Sequence, residues 1–259
     1  MNAVAKQLDT IALERKVKAM YVDVATKPDG DFHFETGRVM AERLGYSPDD
    51  LDHTPVGAIA SFAGVGHFFH LADLKVGERV VDLGSGSGMD TFVAALKVGA
   101  NGHVTGIDMT DAQLNKAEVL RKAAGFDNVE YIDAYIESVP LSGGCCDAVI
   151  SNGVINLAAD KVVVFSEAAR LLKTGGRLAL SDIVTEVQLP EDIVCDATLW
   201  AACIGGAMQV ENYLAAIEAA GLKVARVEDN PEYHFISDSA SGATKTYGVK
   251  SISVLAIKP

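Results

Sequence analysis

Val80-Val81-Asp82-Leu83-Gly84-Ser85-Gly86-Ser87-Gly88-Met89 begins as a strand and ends as a helix. The β-branched, apolar run Arg79–Leu83 predicts a strand that delivers Asp82 to its C-terminal end. The glycine cluster then predicts a sharp turn in which backbone can approach a ligand where a Cβ would clash. Met89–Val98 reads as the helix that follows, and Gly99 can end it as a C′ residue. Asp108 closes the next apolar run, residues 103–109, at the distance from which a carboxylate reaches ribose hydroxyls. A glycine-rich turn between strand and helix, with an acid at the end of the following strand, points to a nucleotide-like ligand.

Outward from this unit the same alternation continues. Thr110 and Gln113 have capping-box spacing ahead of a helix that runs to Lys122, with Gly125 beyond it. Val129–Asp133, residues 148–151 and residues 177–184 read as strands, and residues 160–172 as a helix. Strand–helix–strand units of this length specify a parallel sheet with helices on both faces. The end of the chain departs from the rule. Residues 223–228 and 247–257 are strand-like, but the segment between them is rich in serine, carries Pro231, and has no amphipathic helix. Without a crossover helix the last strand returns antiparallel. The expected architecture is an α/β, Rossmann-like, doubly wound sheet of seven strands, mostly parallel, with an antiparallel last strand.

Residues 1–75 read differently, as helices over 5–24 and 36–44 and a stretch starting near Pro55; Ser47-Pro48-Asp49-Asp50 is a helix start with Pro at N1 and acids in the first turn. They are expected to form a helical N-terminal cap or lid, with residues 76–259 as the ligand-binding domain and a helical insertion at 189–220. Cap and insertion would both lie over the C-terminal edge of the sheet, where open α/β folds bind ligands.

Composition narrows the functions. The chain has 259 residues, 49% of them hydrophobic, and its 22 basic and 35 acidic side chains give a net charge of −13. No uninterrupted apolar run approaches the ~20 residues of a membrane span. Four cysteines in a chain this long do not make a disulfide scaffold. No basic cluster longer than Glu14-Arg15-Lys16 appears, which weighs against nucleic acid; a cationic ligand suits the acidic balance better. The first residues lack the apolar core of a signal peptide, so a cytoplasmic location is expected. No metal-ligating set is read from the sequence, and it is silent on oligomeric state.

The loop also discriminates between cofactors. A dinucleotide fingerprint wants a small residue where Met89 stands, and no basic residue in the loop meets a pyrophosphate. Asp82 instead places negative charge there, which suits an amine or sulfonium. The Asp-x-Gly-x-Gly-x-Gly pattern resembles motif I of the class I S-adenosylmethionine (SAM) methyltransferases. By that resemblance Asp82, Gly84, Ser85, Gly86 and Gly88 hold the cofactor, Asp108 its ribose, and Met109 one adenine face. Tyr135, Ile136 and Glu137 flank the adenine, and Ser151 and Asn152 face the methionine part. The resemblance narrows further. Ser151-Asn152-Gly153-Val154-Ile155-Asn156-Leu157 with Asp160-Lys161 is similar to the S-N-C-V-I-N-L-x-x-D-K signature of the arsenite methyltransferases. Asp108-Met109-Thr110, Ser61-Phe62-Ala63-Gly64-Val65-Gly66 and Cys203-Ile204-Gly205-Gly206-Ala207 resemble the same family.

The departures concern the acceptor. Family members bind As(III) through three cysteines, soft donors for a soft centre. Two of the matching positions are Val65 and Gly153, and only Cys203 remains; Cys195 is a possible second thiol. The expectation is a SAM-dependent methyltransferase with a small-molecule acceptor on an arsenite-methyltransferase-like scaffold. Loss of two side chains is expected to leave room for a bulkier acceptor near Trp200, Met208 and His67-Phe68-Phe69-His70. Asn152, Cys203 and His67 are the candidate catalytic residues, with His67 or His70 as a general base. The alternatives are a genuine arsenite methyltransferase, a non-catalytic SAM-binding protein and an NAD-dependent oxidoreductase.

Overall fold

A computed structural model describes residues 9–194, 204–236 and 246–259. Its centre is a sheet in the order β3-β2-β1-β4-β5-β8-β7. The strands are β1 (Arg79–Leu83), β2 (His103–Asp108), β3 (Val129–Asp133), β4 (Cys146–Asn152), β5 (Leu172–Thr185), β7 (Lys223–Asp229) and β8 (Lys250–Ile257), and the two-residue β6 (Met208–Gln209) pairs with β5 off this path. β8 runs antiparallel to both β5 and β7, while β1 pairs parallel with β2 and β4. The seven-stranded expectation is met, with β6 as the addition.

Alternate side chains of each strand feed two apolar layers, because successive residues point to opposite faces. Val81, Leu83, Val149, Leu178 and Leu180 face α8 (Lys161–Leu171) and a helix at Val210–Ala219. Val80, Val104, Ala148, Ile150 and Ala179 face α6 (Met89–Val98). That second layer is shared with the N-terminal helices α2 (Arg38–Leu44), α3 (Pro48–Asp52), α4 (Val56–Ala60) and α5 (Phe69–Ala72), which contribute Met40, Leu51, Ile59 and Phe69. Phe68 and Phe69 are therefore core residues, not part of an acceptor pocket. A third apolar cluster sits on the C-terminal edge of the sheet, where α1 (Thr10–Thr26) brings Leu13 and Val17 against Val65, Leu157, Ile183 and Ile204.

One helix start differs from its sequence reading. Thr110 precedes α7 (Asp111–Ala124) but makes no side-chain cap bond, and Gln113 does not close a box. The Gln113 side chain instead accepts from Ser87 Oγ and donates to the Tyr21 carbonyl of α1 at 2.9 Å. Residue spacing cannot reveal that a distant helix competes for the same amide.

Candidate active site

β1 and β4 are neighbours, yet the chain leaves them in opposite directions across the sheet, so a crevice opens at their C-terminal ends. A cavity of about 300 Å³ occupies it. Its floor is the turn after β1. Gly84, Gly86 and Gly88 hold φ values of +76°, +54° and +94°, a region that side-chain-bearing residues rarely enter. The three glycines serve different ends. A Cβ on Gly84 would collide with Val154, and one on Gly88 with the Tyr131 hydroxyl. A Cβ on Gly86 would meet only the Gln113 carboxamide at 3.8 Å, so this is the position that stays open.

Asp108 lines the cavity and also braces its floor. One carboxylate oxygen accepts from Gly86 N and the other from Thr110 N, both at 2.9 Å. Burial raises its pKa and these bonds oppose the rise. Asp82 is 2% exposed, and its Oδ2 accepts from Thr91 Oγ1 at 2.6 Å. Burial, then repulsion from Asp90, pushes Asp82 up to about 8. Asp90, in the first turn of α6, is pushed up to about 6 by burial, against hydrogen bonds from Tyr46 and Asn152. The reading of the loop passed over Asp90; a second acid inside the helix that follows the glycines was the available signal.

Asn152 lines the cavity with both ends of its amide engaged. Its Oδ1 accepts from Val65 N at 2.8 Å, and its Nδ2 donates to Gly66 O at 3.0 Å and Asp90 Oδ2 at 2.9 Å. It ties the tip of β4 to the 63–66 loop. Ser151 does not line the cavity: its hydroxyl donates to Leu83 O at 2.8 Å and cross-braces β4 to β1. Met109, Tyr135, Ile136 and Glu137 line the cavity, as does Ser85, whose buried hydroxyl has no partner among the described residues. Over them lies α1. Lys18 Nζ donates to the Tyr135 hydroxyl at 3.0 Å, which donates to Glu14 Oε1 at 2.7 Å.

His67 is not in the cavity. Its ring packs edge-on against Tyr46 at 4.8 Å and stacks on His70 at 5.5 Å, in a surface recess on the other side of Tyr46. Burial, the neighbouring His70 and Lys97 lower its pKa to about 4. A general-base role at the cavity is not open to it. Cys203, Cys195 and Trp200 lie outside the described residues. Met208 is half-buried beside the α8 layer. Cys145 and Cys146 are at the start of β4, about 20 Å of strand from Asn152 at ~3.3 Å per residue. Val65 and Gly153, the two positions where thiols were expected and not found, are neighbours. A Cβ on Gly153 would sit 3.1 Å from Val65 Cγ1. Val65, 2% exposed, fills the space that the sequence reading had expected to be vacant.

The residues fit a cationic adenosyl ligand. Among the described residues, Glu14, Asp82, Asp90, Asp108 and Glu137 give the cavity five carboxylates, and no lysine, arginine or histidine lines it. Met109, Ile136 and Leu157 offer apolar faces, Gly86 an open backbone, and Ser85 an unused hydroxyl.

Comparison with known proteins agrees. A methyltransferase-domain family model matches residues 74–221. The arsenite methyltransferase of Halobacterium salinarum is 38% identical over 205 residues, covering 79% of this chain and 52% of that protein. The human arsenite methyltransferase is 46% identical over 138 residues, covering 50% of this chain and 37% of that one. The chain thus spans about half the length, or less, of these two relatives. An arsenic(III) SAM methyltransferase from Chlamydomonas reinhardtii superposes with a TM-score of 0.62 at 28% identity, over 86% of this chain and 73% of that structure. The chain belongs to the methyltransferase-domain family, among the SAM-dependent methyltransferases and close to the arsenite methyltransferases.

Proposed function

We propose that the protein transfers the methyl group of SAM to a small-molecule acceptor other than thiolate-bound arsenite. The observation that carries this reading is the cavity, which among the described residues has five carboxylates and no basic side chain. A pyrophosphate, as in NAD, would be repelled there, whereas an ammonium and a sulfonium are attracted. When bound, SAM supplies an electrophilic methyl group on a cationic sulfur.

The chain's own residues orient and enclose. Asp108, already anchored by two backbone N–H groups, has lone pairs left for the ribose hydroxyls. Tyr135, Ile136 and Met109 would hold the adenine, with Glu137 and Ser85 as polar groups of the same cavity. Asp82 and Asp90 face the positive methionyl end. Asn152 acts as a positioning residue, because its amide N–H groups are spent on Gly66, Asp90 and Tyr46 and its oxygen holds Val65 N. α1 is the lid that excludes water, latched through Tyr135. Holding two reactants in line supplies several kcal/mol, and about 7–11 in the best model systems, without an enzymic nucleophile.

The acceptor side supports the departure from arsenite. Val65 stands against Gly153 in apolar contact, where soft donors would be needed, and the described cysteines are at the opposite edge of the sheet. A second reading, arsenite itself, has the names of the relatives behind it. Calorimetry with SAM and S-adenosylhomocysteine tests the first step; absence of binding by both at millimolar concentration rejects it. An assay for methylated arsenicals with glutathione, with Cys203→Ser as control, separates the two acceptors. Efficient arsenite methylation lost in that variant would overturn the proposed departure.

A further inference from the structure

Past Asn152, the signature that ends at Asp160-Lys161 leaves the sheet and forms one wall of the cofactor cavity. Val154, Leu157, Ala158 and Ala159 line it, yet a single 3-10 turn, Ile155–Leu157, is all the regular structure that shapes this stretch. Val154 packs over Gly84 of the glycine turn, in the space that a Cβ there would enter. The seating of this wall therefore bears directly on the turn that holds the cofactor.

A buried polar cluster lies behind the wall. Asn156, Asp182, Tyr213 and Lys161 are all buried, and none of them lines the cavity. Asn156 Nδ2 donates to Asp182 Oδ1 at 2.6 Å and back to Gly153 O at 3.2 Å. Asp182 also accepts from Ile183 N at 2.8 Å and from the Tyr213 hydroxyl at 2.7 Å. Three donors converge on its carboxyl, so the set is complete with Asp182 ionised. Burial pushes its pKa up; Tyr213, Asn156 and Ile183 N oppose the rise, and so does the charge of Lys161. Lys161 Nζ donates to Ala158 O at 3.0 Å, and Asp160 fixes the start of α8 beneath it by accepting from Val162 N and Val163 N. Both ends of the wall are thus tied to one pair of opposite buried charges, Gly153 through Asn156 and Ala158 through Lys161. The Asn156 Oδ1 has no partner among the described residues. An amide that leaves its oxygen unsatisfied in a buried place is kept for its two N–H bonds, since turning it over would set oxygen against carboxylate.

We propose that Asn156, Lys161 and Asp182 are positioning residues for the methyl transfer, holding the 153–159 wall so that Val154 fixes the glycine turn beside the methionyl part of SAM. This rests on the SAM reading above and adds to it three residues that do not touch the cofactor. The wall is built before the ligand arrives, so the cluster contributes preorganisation and undergoes no change on binding.

The test uses the full chain, with S-adenosylhomocysteine and with 5′-methylthioadenosine, which lacks the amino-acid part. Titration calorimetry well below the melting temperature compares Asn156→Ala, Asp182→Asn and Lys161→Met with the wild type. Affinity for S-adenosylhomocysteine is expected to fall about tenfold in each variant, the scale of a lost buried hydrogen bond, while that for 5′-methylthioadenosine changes by less than about twofold. Phe165→Leu is the control: it loosens packing against Tyr213, whose ring it meets at 5.1 Å, and removes no hydrogen bond. It is expected to lower the melting temperature and leave the ratio of the two affinities at the wild-type value. Should a single charge variant not fold, the double variant Lys161→Met with Asp182→Asn takes its place, because it leaves no unpaired buried charge. It still lacks the bond to Ala158 O and should show the same selective loss. Equal loss for both ligands, no loss for either, or the same selective loss in Phe165→Leu overturns the positioning role and leaves the cofactor reading standing. If neither SAM nor S-adenosylhomocysteine binds the wild type, the cofactor reading itself fails.

Discussion

Asp108 does two things at once because an ionised carboxylate has about four lone-pair sites. It anchors Gly86 and Thr110, and it still faces the cavity. Asp108→Ala should weaken SAM binding by about 1–3 kcal/mol, the scale of a lost charged hydrogen bond, as measured by titration calorimetry. Asp108→Asn keeps one acceptor and should lose less. Gly84 makes a different kind of demand. Its φ of +76° costs a side-chain-bearing residue about 1–2 kcal/mol, and its Cβ would collide with Val154. Gly84→Ala should therefore lower thermal stability and cofactor affinity together. Adding Val154→Ala should recover the part that comes from the collision and leave the part that comes from the backbone. A double variant no better than the single one would show that the contact with Val154 contributes nothing.

α1 is anchored by its buried Leu13 and Val17, and at its exposed edge by polar contacts of the easily broken kind. Lys18, Glu14 and the Tyr135 hydroxyl form an exposed set, while Lys116 Nζ donates to the Ala25 carbonyl and to Ser61 Oγ. Exposed pairs contribute little to global stability, 0–1 kcal/mol as a rule. Yet the same contacts close one wall of the cavity. Tyr135→Phe should leave the melting temperature nearly unchanged and speed SAM dissociation several-fold in stopped-flow displacement. An unchanged dissociation rate would mean that α1 does not gate the cavity. Gln113 belongs to this account: its amide, read from spacing as part of a helix cap, is spent on α1 and on Ser87 instead.

The molecule as a whole carries its functional charge at a cost in stability. Asp82 is raised to about 8 in the folded protein, against an ordinary carboxyl value when unfolded. The folded state then holds a proton that the unfolded state has lost, so stability falls as pH rises through this window. Below about pH 6.5 the lowered pKa of half-buried His67 works the other way, and above about 8 so does that of buried Lys161, itself lowered to about 8 by burial. Between pH 6.5 and 8 the ligand-free protein should lose about 1–2 kcal/mol, read from denaturant melts at a series of pH values. Saturating SAM should remove most of that slope by supplying the missing positive charge. A ligand-free stability that rises across this window would contradict the assignment of a proton to Asp82.

Local signals were enough for the sheet, the glycine turn and the ligand class. A strand, a turn at positive φ and an acid at the next strand end are set by neighbours in the chain, and the acidic balance weighs against nucleic acid wherever the side chains point. The family match and the parallel order follow from the same short-range pattern. What remained hidden depends on residues far apart in the chain. Asp90 meets Tyr46 and Asn152, His67 is turned away behind Tyr46, Ser151 is used on β1, and Val65 closes the space beside Gly153. Each of these is a competition among distant groups for one hydrogen bond or one volume. No spacing along a chain records the winner, because packing and burial are settled only when the segments come together.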